Sequence, residues 1–311
     1  MHGVLIVDKP AGPTSHDVVA RVRRAIGISR IGHTGTLDPL ATGVLALVVG
    51  RATRLAQFLT ADEKEYIAGV RLGWATATYD AEERSVRGEG GELTVLPPQQ
   101  PPPDIGEAAV REALAAFTGT FAQLPPPYSA KKIAGTPAYL LARLHKDVEL
   151  KPVQVSVRTL DMLGYRDGLA TLRIVCSSGF YVRSLAHEIG QRLGCGAHLE
   201  SLRRIRAGDF REAEATPLAV IQDEGVQALQ RLLPLASLLS KLPEVVVNQR
   251  GAKRAAHGNA LGSEDLADGE AVTPGRADLS GPVRVLDADG ALLAIGEPGR
   301  GGVLQPVVVL V

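Results

Sequence analysis

Cysteine is scarce: Cys176 and Cys195 stand alone, and neither belongs to a CxxC or Cys/His spacing. That argues against a disulfide framework and against the usual zinc sites. Long apolar runs are missing as well. The longest, "VLALVV" at 44–49 and the terminal "VLQPVVVLV", fall far short of the roughly 20 residues that cross a bilayer. No basic, apolar leader precedes Gly3, so a reducing, cytoplasmic setting is the expectation. Net charge is absent too, with 34 Lys and Arg against 34 Asp and Glu. Whole-protein electrostatics therefore announce no polyanionic partner.

What the sequence does have is apolar content, 45% over 311 residues, enough to bury a core in one large domain or two unequal ones. The neutral total also hides a segregation. Residues 1–60 carry seven Lys and Arg against three Asp and Glu, whereas residues 80–115 carry eight acids against three bases. Charge alone does not distinguish a binding face from ordinary solvated surface.

Periodicity and breakers organise the chain. "GVLIVDKP" reads as a strand stopped by Pro10, and Thr14 or Ser15 can cap a helix through "HDVVARVRRAI" that ends at Gly27. "EYIAGVRLGW" (65–74), "VQVSVRTLDML" and "LATLRIVCS" alternate as strands. Residues 80–105 are acidic, then glycine-rich, then "PPQQPPP", the composition of an exposed loop. Helices are expected at about 107–117, from Pro137 in "PAYLLARLH", and from Phe180 to Leu193 with Gly194 closing it. Helical turns resume around 217–241. "GPVRVLDADGALLAIGE" then reads as a hairpin, and with "VLQPVVVLV" it forms a β-rich tail. Hairpin-like connections in place of regular βαβ alternation argue against a doubly wound parallel sheet.

The densest stretch is "IGHTGTLDPLATGVLALVVG" (31–50), which holds His33, Asp38 and three glycines before an apolar run. It lacks the Gly-Lys-Ser/Thr of a phosphate loop and the glycine spacing of a dinucleotide site. It also lacks the companion carboxylates that an aspartyl-phosphate enzyme needs for magnesium. On residue chemistry alone, Asp38 is most often a cap or an Asx-turn.

"GHTGTLDPLATGVL" closely resembles the hallmark motif of the TruB-type tRNA pseudouridine synthases. "GVLIVDKPAGPTSHDVV", "KEYIAGVRLG", "PPPYSAKKIAGTPAYLLAR" and "CSSGFYVRSLAHEIGQRLGCGAHLESLRR" match further family motifs in the family's order. The tail is similar to a PUA domain. The resemblance implies an α+β fold with a mixed, mainly antiparallel sheet in a catalytic domain at 1–243, followed by a PUA-like RNA-binding domain at 244–311. It implies isomerisation of uridine 55 in the tRNA T-loop by base flipping, without a cofactor or a metal. The expected partner is tRNA, gripped at the T-arm and the acceptor stem by a monomer.

Site residues follow from the same resemblance. Asp38 matches the catalytic aspartate, a covalent catalyst that divides one hard exchange into easier steps. Arg183 matches its arginine partner, whose planar fork can fix a carboxylate's geometry and favours its ionised form. Tyr66 matches the tyrosine set against the target base, able to stack and to assist proton transfer. Tyr181, Lys64, Leu199 and Lys9 are expected to bind substrate. His33 would contact the loop that a flipped base leaves behind. Phosphate contacts are expected from Lys9, Arg21, Arg24, Lys131, Lys132 and the cluster Arg203, Arg204 and Arg206, with Arg250, Lys253, Arg254 and Arg300 in the tail.

Two departures from the family pattern stand out: Ala77 in "GWATATYDAEERS", where an acidic residue is common, leaving Asp80, and the proline-rich segment at 96–103. Two other function classes fit parts of the sequence. One is a non-catalytic RNA-binding protein using the same groove. The other is a metal-dependent phosphohydrolase, which the missing carboxylate partners disfavour and which a chelator would silence.

Overall fold

A computed structural model describes residues 1–60, 63–87, 93–95, 104–128, 132–133, 136–137, 150–267 and 281–311. Its main sheet is built from β1 (Gly3–Lys9), β2 (Ile31–His33), β3 (Thr42–Val49), β4 (Lys64–Leu72), β5 (Gly119–Gln123), β6 (Val153–Arg166), β7 (Leu169–Cys176) and β8 (Ala197–Ala207). The order across the sheet is β1, β3, β8, β4, β7, β6, β5, with β2 pairing on β3. Each of these pairs is antiparallel except β3 with β8, where Arg203 aligns with Thr42 and Arg204 with Gly43. The parallel seam is short, two residue pairs long.

Local chemistry explains the elements around the seam. Helix α1 (Ser15–Ile26) opens on Thr14, whose side chain accepts from Asp17 N while Asp17 answers the Thr14 backbone. This reciprocal cap satisfies two otherwise orphaned donors. Gly27 closes the helix at φ 70°, a left-handed conformation glycine adopts without penalty. Helix α2 (Ala56–Thr60) follows β3, α3 (Glu107–Ala115) precedes β5, α4 (Val182–Arg192) sits between β7 and β8, and α5 (Leu218–Glu224) packs on α1. Gly190 lets α4 lie close to β8, because an added Cβ would fall 2.1 Å from Ala197 N.

The apolar run of β3 is continuous because both faces are covered. Leu5, Val7, Leu45, Leu47 and Val49 join α1 and α4 in one core cluster. Val4, Ile6, Val44, Ala46 and Val48 belong to a second cluster on the opposite face. What completes that second cluster is the tail, a separate sheet ordered β9 (Glu244–Val246), β10 (Val283–Leu286), β11 (Leu292–Pro298) and β12 (Leu304–Val309). Leu286, Leu292, Ile295 and Leu310 contribute from it. The other side of the tail sheet forms a third cluster with helix α6 (Gln249–Ala256). Arg284 ties the same interface, donating to the Ala236 carbonyl and pairing with Glu244 at 3.0 Å.

Most sequence expectations correspond to elements of this fold. Three differ. Residues 80–105 are not loop throughout, since Ser85–Arg87 pairs with Leu93–Val95. The helix expected from Pro137 does not begin there, because Thr136–Pro137 pairs with Lys132–Ile133, and residues 138–149 lie outside those described. Residues 197–207, to which the periodicity assigned no element, form a central strand.

The shared cluster makes a prediction. Ile295→Ala should cost about 2–5 kcal/mol, and the loss should appear in the body as well as in the tail. Fluorescence of Trp74, the single tryptophan, reports the body during urea unfolding. Its midpoint should move with the variant; an unmoved midpoint would mean that the tail unfolds on its own.

Candidate active site

Asp38 lies in the turn between β2 and β3, and buried groups hold that turn from three sides. From α1, Ser15 Oγ accepts from Leu37 N at 2.8 Å and donates to Leu37 O at 3.0 Å. From β1, Lys9 Nζ donates to Ala41 O at 2.7 Å, Pro10 O at 2.9 Å and Pro39 O at 3.3 Å. From β8, Arg204 donates to Val44 O at 2.7 Å, Gly35 O at 3.1 Å and Thr36 O at 3.4 Å. Gly43, at φ 96°, permits the closeness of β8, since an added Cβ would lie 2.3 Å from the Arg204 carbonyl. The Asp38 side chain nevertheless stays 36% exposed. A rigid turn thus presents an accessible carboxylate.

Arg183, from the first turn of α4, meets it. Its Nη2 donates to Asp38 Oδ1 at 3.2 Å, and its Nε lies 2.8 Å from Oδ2. Only 6% of the guanidinium side chain is exposed, and it also donates to Tyr128 O at 2.9 Å and Thr78 O at 3.1 Å. Asp80 Oδ2 stands 3.7 Å from Nε. Burial pushes the Asp80 carboxyl up from its ordinary 3.8 to about 6, against the pull of Arg183 and of bonds from Thr78 and the Glu82 backbone. Desolvation wins because the carboxylate is enclosed.

Asp38, Lys64, Tyr66, Tyr181, Arg183 and Leu202 share the lining of a cavity of about 360 Å³. Tyr66, paired to Arg204 across β4 and β8, is buried, and burial raises its hydroxyl pKa while the Arg204 guanidinium opposes the rise. Lys64 donates to Thr60 O at 2.6 Å. Tyr181 is fixed through its backbone by Gln123, at 2.9 and 3.1 Å. Four of the expected residues thus meet Asp38 around one pocket. His33 lies outside that lining, edge-on to His16 with ring centroids 5.3 Å apart.

Other expectations need correction. Lys9 is fully buried, and its ammonium protons go to backbone carbonyls, so it is not a phosphate contact; desolvation lowers its pKa to about 8. Leu199 is a core residue whose amide donates to Tyr79 O, and Leu202 takes its place at the pocket. Arg203 pairs with Asp8 and Glu212, Arg206 with Glu65 and Glu63, and Arg204 is buried. They are therefore not an open basic patch. Arg250 and Arg254 both pair with the buried Asp265. Lys131 lies outside the described residues, as does the side chain of Lys132. Asp80 and Leu202 were not among the expected site residues; the only signal for Asp80 was its survival in the altered "TATYDAEE" pattern. Among the described residues, no group of three or more His, Cys, Asp or Glu could hold a metal, and no helix is long and apolar enough to cross a membrane.

A family model described as TruB family pseudouridylate synthase (N terminal domain) matches residues 23–182. The chain belongs to the TruB family of pseudouridylate synthases. Residues 183–240 match a second model, the tRNA pseudouridylate synthase B C-terminal domain. Proteins called tRNA pseudouridine synthase B from Solibacter usitatus and Thermobifida fusca are each 42% identical to the synthase. The match spans 100% of this chain and 100% of the relative in the first case, and 99% and 98% in the second. Among solved structures, a chain of a Cbf5-Nop10-Gar1 complex aligns at a TM-score of 0.70 and 26% identity, over 99% of the synthase and 85% of that chain. A chain from an H/ACA RNP bound to a substrate RNA containing 2'-deoxyuridine shares the fold, at a TM-score of 0.71 and 24% identity, over 99% and 85%.

The Asp80 shift generates a pH prediction. Between 3.8 and about 6 the folded synthase keeps a proton that the unfolded chain has released, so stability falls as pH rises through that window. Asp80→Asn removes this slope. Urea unfolding at both ends of the window should show the variant gaining on the parent by on the order of 3 kcal/mol at most. Parallel pH profiles would mean that Asp80 titrates as an ordinary surface carboxylate.

Proposed function

We propose that the synthase converts uridine 55 in the T-loop of tRNA to pseudouridine, with Asp38 as the nucleophile and Arg183 as the group that orients it. The observation that carries this reading is the Arg183 fork against an accessible Asp38 carboxylate, at the mouth of a cavity whose lining includes Tyr66 and Tyr181. A base inside a folded loop must leave its stack to enter such a pocket. Once there, the bond from the ribose to N1 breaks, the base turns, and C5 joins the ribose. N1 gains a proton and C5 loses one. Tyr66 stacks on the base and moves the C5 proton, and His33 contacts the loop left behind.

Family membership and full-length similarity to proteins called tRNA pseudouridine synthase B support tRNA as substrate. RNA contacts come from Arg21 and Arg24 on α1 and from Lys253 and Arg300 of a PUA-like domain at 244–311, which follows the catalytic domain at 1–243. Exposure of Arg24, Lys253 and Arg300 supports that assignment. The synthase works as a cytoplasmic monomer and reaches the T-arm with its body and the acceptor stem with its tail.

Incubation with unmodified tRNA transcript, followed by mapping of pseudouridine at nucleotide resolution, tests the substrate; a product outside the T-loop overturns it. Turnover should persist in chelator. Asp38→Asn should abolish turnover while tRNA affinity stays within about tenfold, about 1.4 kcal/mol. Arg183→Lys keeps the charge but loses the planar guanidinium that faces both Asp38 oxygens, and single-turnover activity should collapse. A near-normal rate in either variant would remove that residue from its role.

A further inference from the structure

Helix α4 meets the 76–80 turn at two places one helical turn apart. At the first, Arg183 donates to Thr78 O at 3.1 Å and approaches Asp80 Oδ2 to 3.7 Å. Four residues along the same face, His187 lies flat on Tyr79, with ring centroids 3.9 Å apart and planes 9° from parallel. Tyr79 sits between the two groups that touch Arg183.

Its backbone is unusual. Tyr79 has φ 65°, a left-handed conformation that bulky residues seldom adopt and that persists only where the surroundings enforce it. Tyr79 N donates to Thr76 O at 3.2 Å and Tyr79 O accepts from Leu199 N at 2.9 Å, which hold the turn toward β8. The ring contact holds it toward α4. His187 Nδ1 is buried with no hydrogen-bond partner, so no polar bond at that nitrogen anchors the ring. Neither ring lines the cavity.

We propose that His187 is a positioning residue: by stacking on Tyr79 it docks the strained turn whose Thr78 carbonyl and Asp80 carboxylate aim the Arg183 fork at Asp38. This rests on the reading of Asp38 and Arg183 as the reacting pair. Without the stack, the turn relaxes away from α4, Arg183 loses the Thr78 acceptor, and the fork rotates off the nucleophile. Small misplacements of this kind reduce turnover more than binding.

The test uses the full chain with tRNA transcript, and a thermal melt of each variant verifies folding. His187→Ala should lower kcat about tenfold and leave KM within about twofold. His187→Phe keeps a stacking ring and lacks the stranded nitrogen, so it should restore kcat to within about twofold of the parent. Tyr79→Gly suits the left-handed backbone but has no ring, and it should match His187→Ala. The double variant should fall no further than either single, because the two changes break one contact. A parental kcat in His187→Ala, a His187→Phe as slow as the alanine variant, or additive losses in the double variant would each overturn the proposal. If His187→Ala melts below the assay temperature, the comparison of Tyr79→Gly with Tyr79→Phe decides instead: equal rates overturn the stack, and a slow glycine variant beside a normal phenylalanine variant supports it. Asp38→Asn and Arg183→Lys run alongside. If they stay active, the underlying reading fails; if they are inactive while His187→Ala is not, the clamp alone fails.

Discussion

A guanidinium that is almost wholly withdrawn from water must find acceptors for its donors, and the candidate site is arranged around that requirement. Arg183 has only donors to offer. Asp38, the Thr78 carbonyl and the Tyr128 carbonyl accept from them, with Asp80 close by. These acceptors come from three separate segments, so satisfying one buried side chain brings together the 38 turn, the 76–80 turn and the approach to residue 128. Removing the acceptors would leave a buried charge without compensation, which is far costlier than losing a surface pair. The geometry is rigid because the alternatives are electrostatically poor.

Two further cations work differently. Lys9 and Arg204 are buried on either side of the Asp38 turn, and each donates to three backbone carbonyls there. Carbonyls are neutral, so these contacts fix backbone position without neutralising charge. Arg204 also faces Tyr66 across the β4–β8 pairing. One side chain therefore links the turn that carries Asp38 to the strand that carries the aromatic ring, and the spacing between carboxylate and ring is set by a strand register. That is more precise than a loop could provide.

The same facts explain what could be read from sequence and what could not. The Thr14 cap, the β1 run and the tail hairpin are local, so neighbouring residues specify them. Asp38, Tyr66 and Arg183 were legible through motif resemblance, and the fold brings them to one pocket. The cations were misread because a charge count does not reveal which carbonyls a side chain will reach. Lys9 looks like any basic residue at the end of a strand. Arg203, Arg204 and Arg206 look like a basic surface cluster, yet they sit on a central strand with Asp8, Glu65 and Glu212 waiting on neighbouring segments. Motif resemblance pointed to Leu199 at the pocket, where Leu202 stands instead. β8 slips register against β4 between Leu199 and Ser201 and again between Arg204 and Arg206. Side chains along β8 therefore do not simply alternate between faces, which a motif match does not reveal.

The tail shows how far this precision extends. Val44 gives its carbonyl to Arg204 and its side chain to the cluster that the tail sheet completes. The strand that follows the Asp38 turn is therefore fixed on one face by α1 and α4 and on the other by Leu286, Leu292 and Ile295. Apolar packing at that density resists small displacements. The C-terminal sheet is thus more than an appended surface: it forms the back wall of the strand that follows the Asp38 turn.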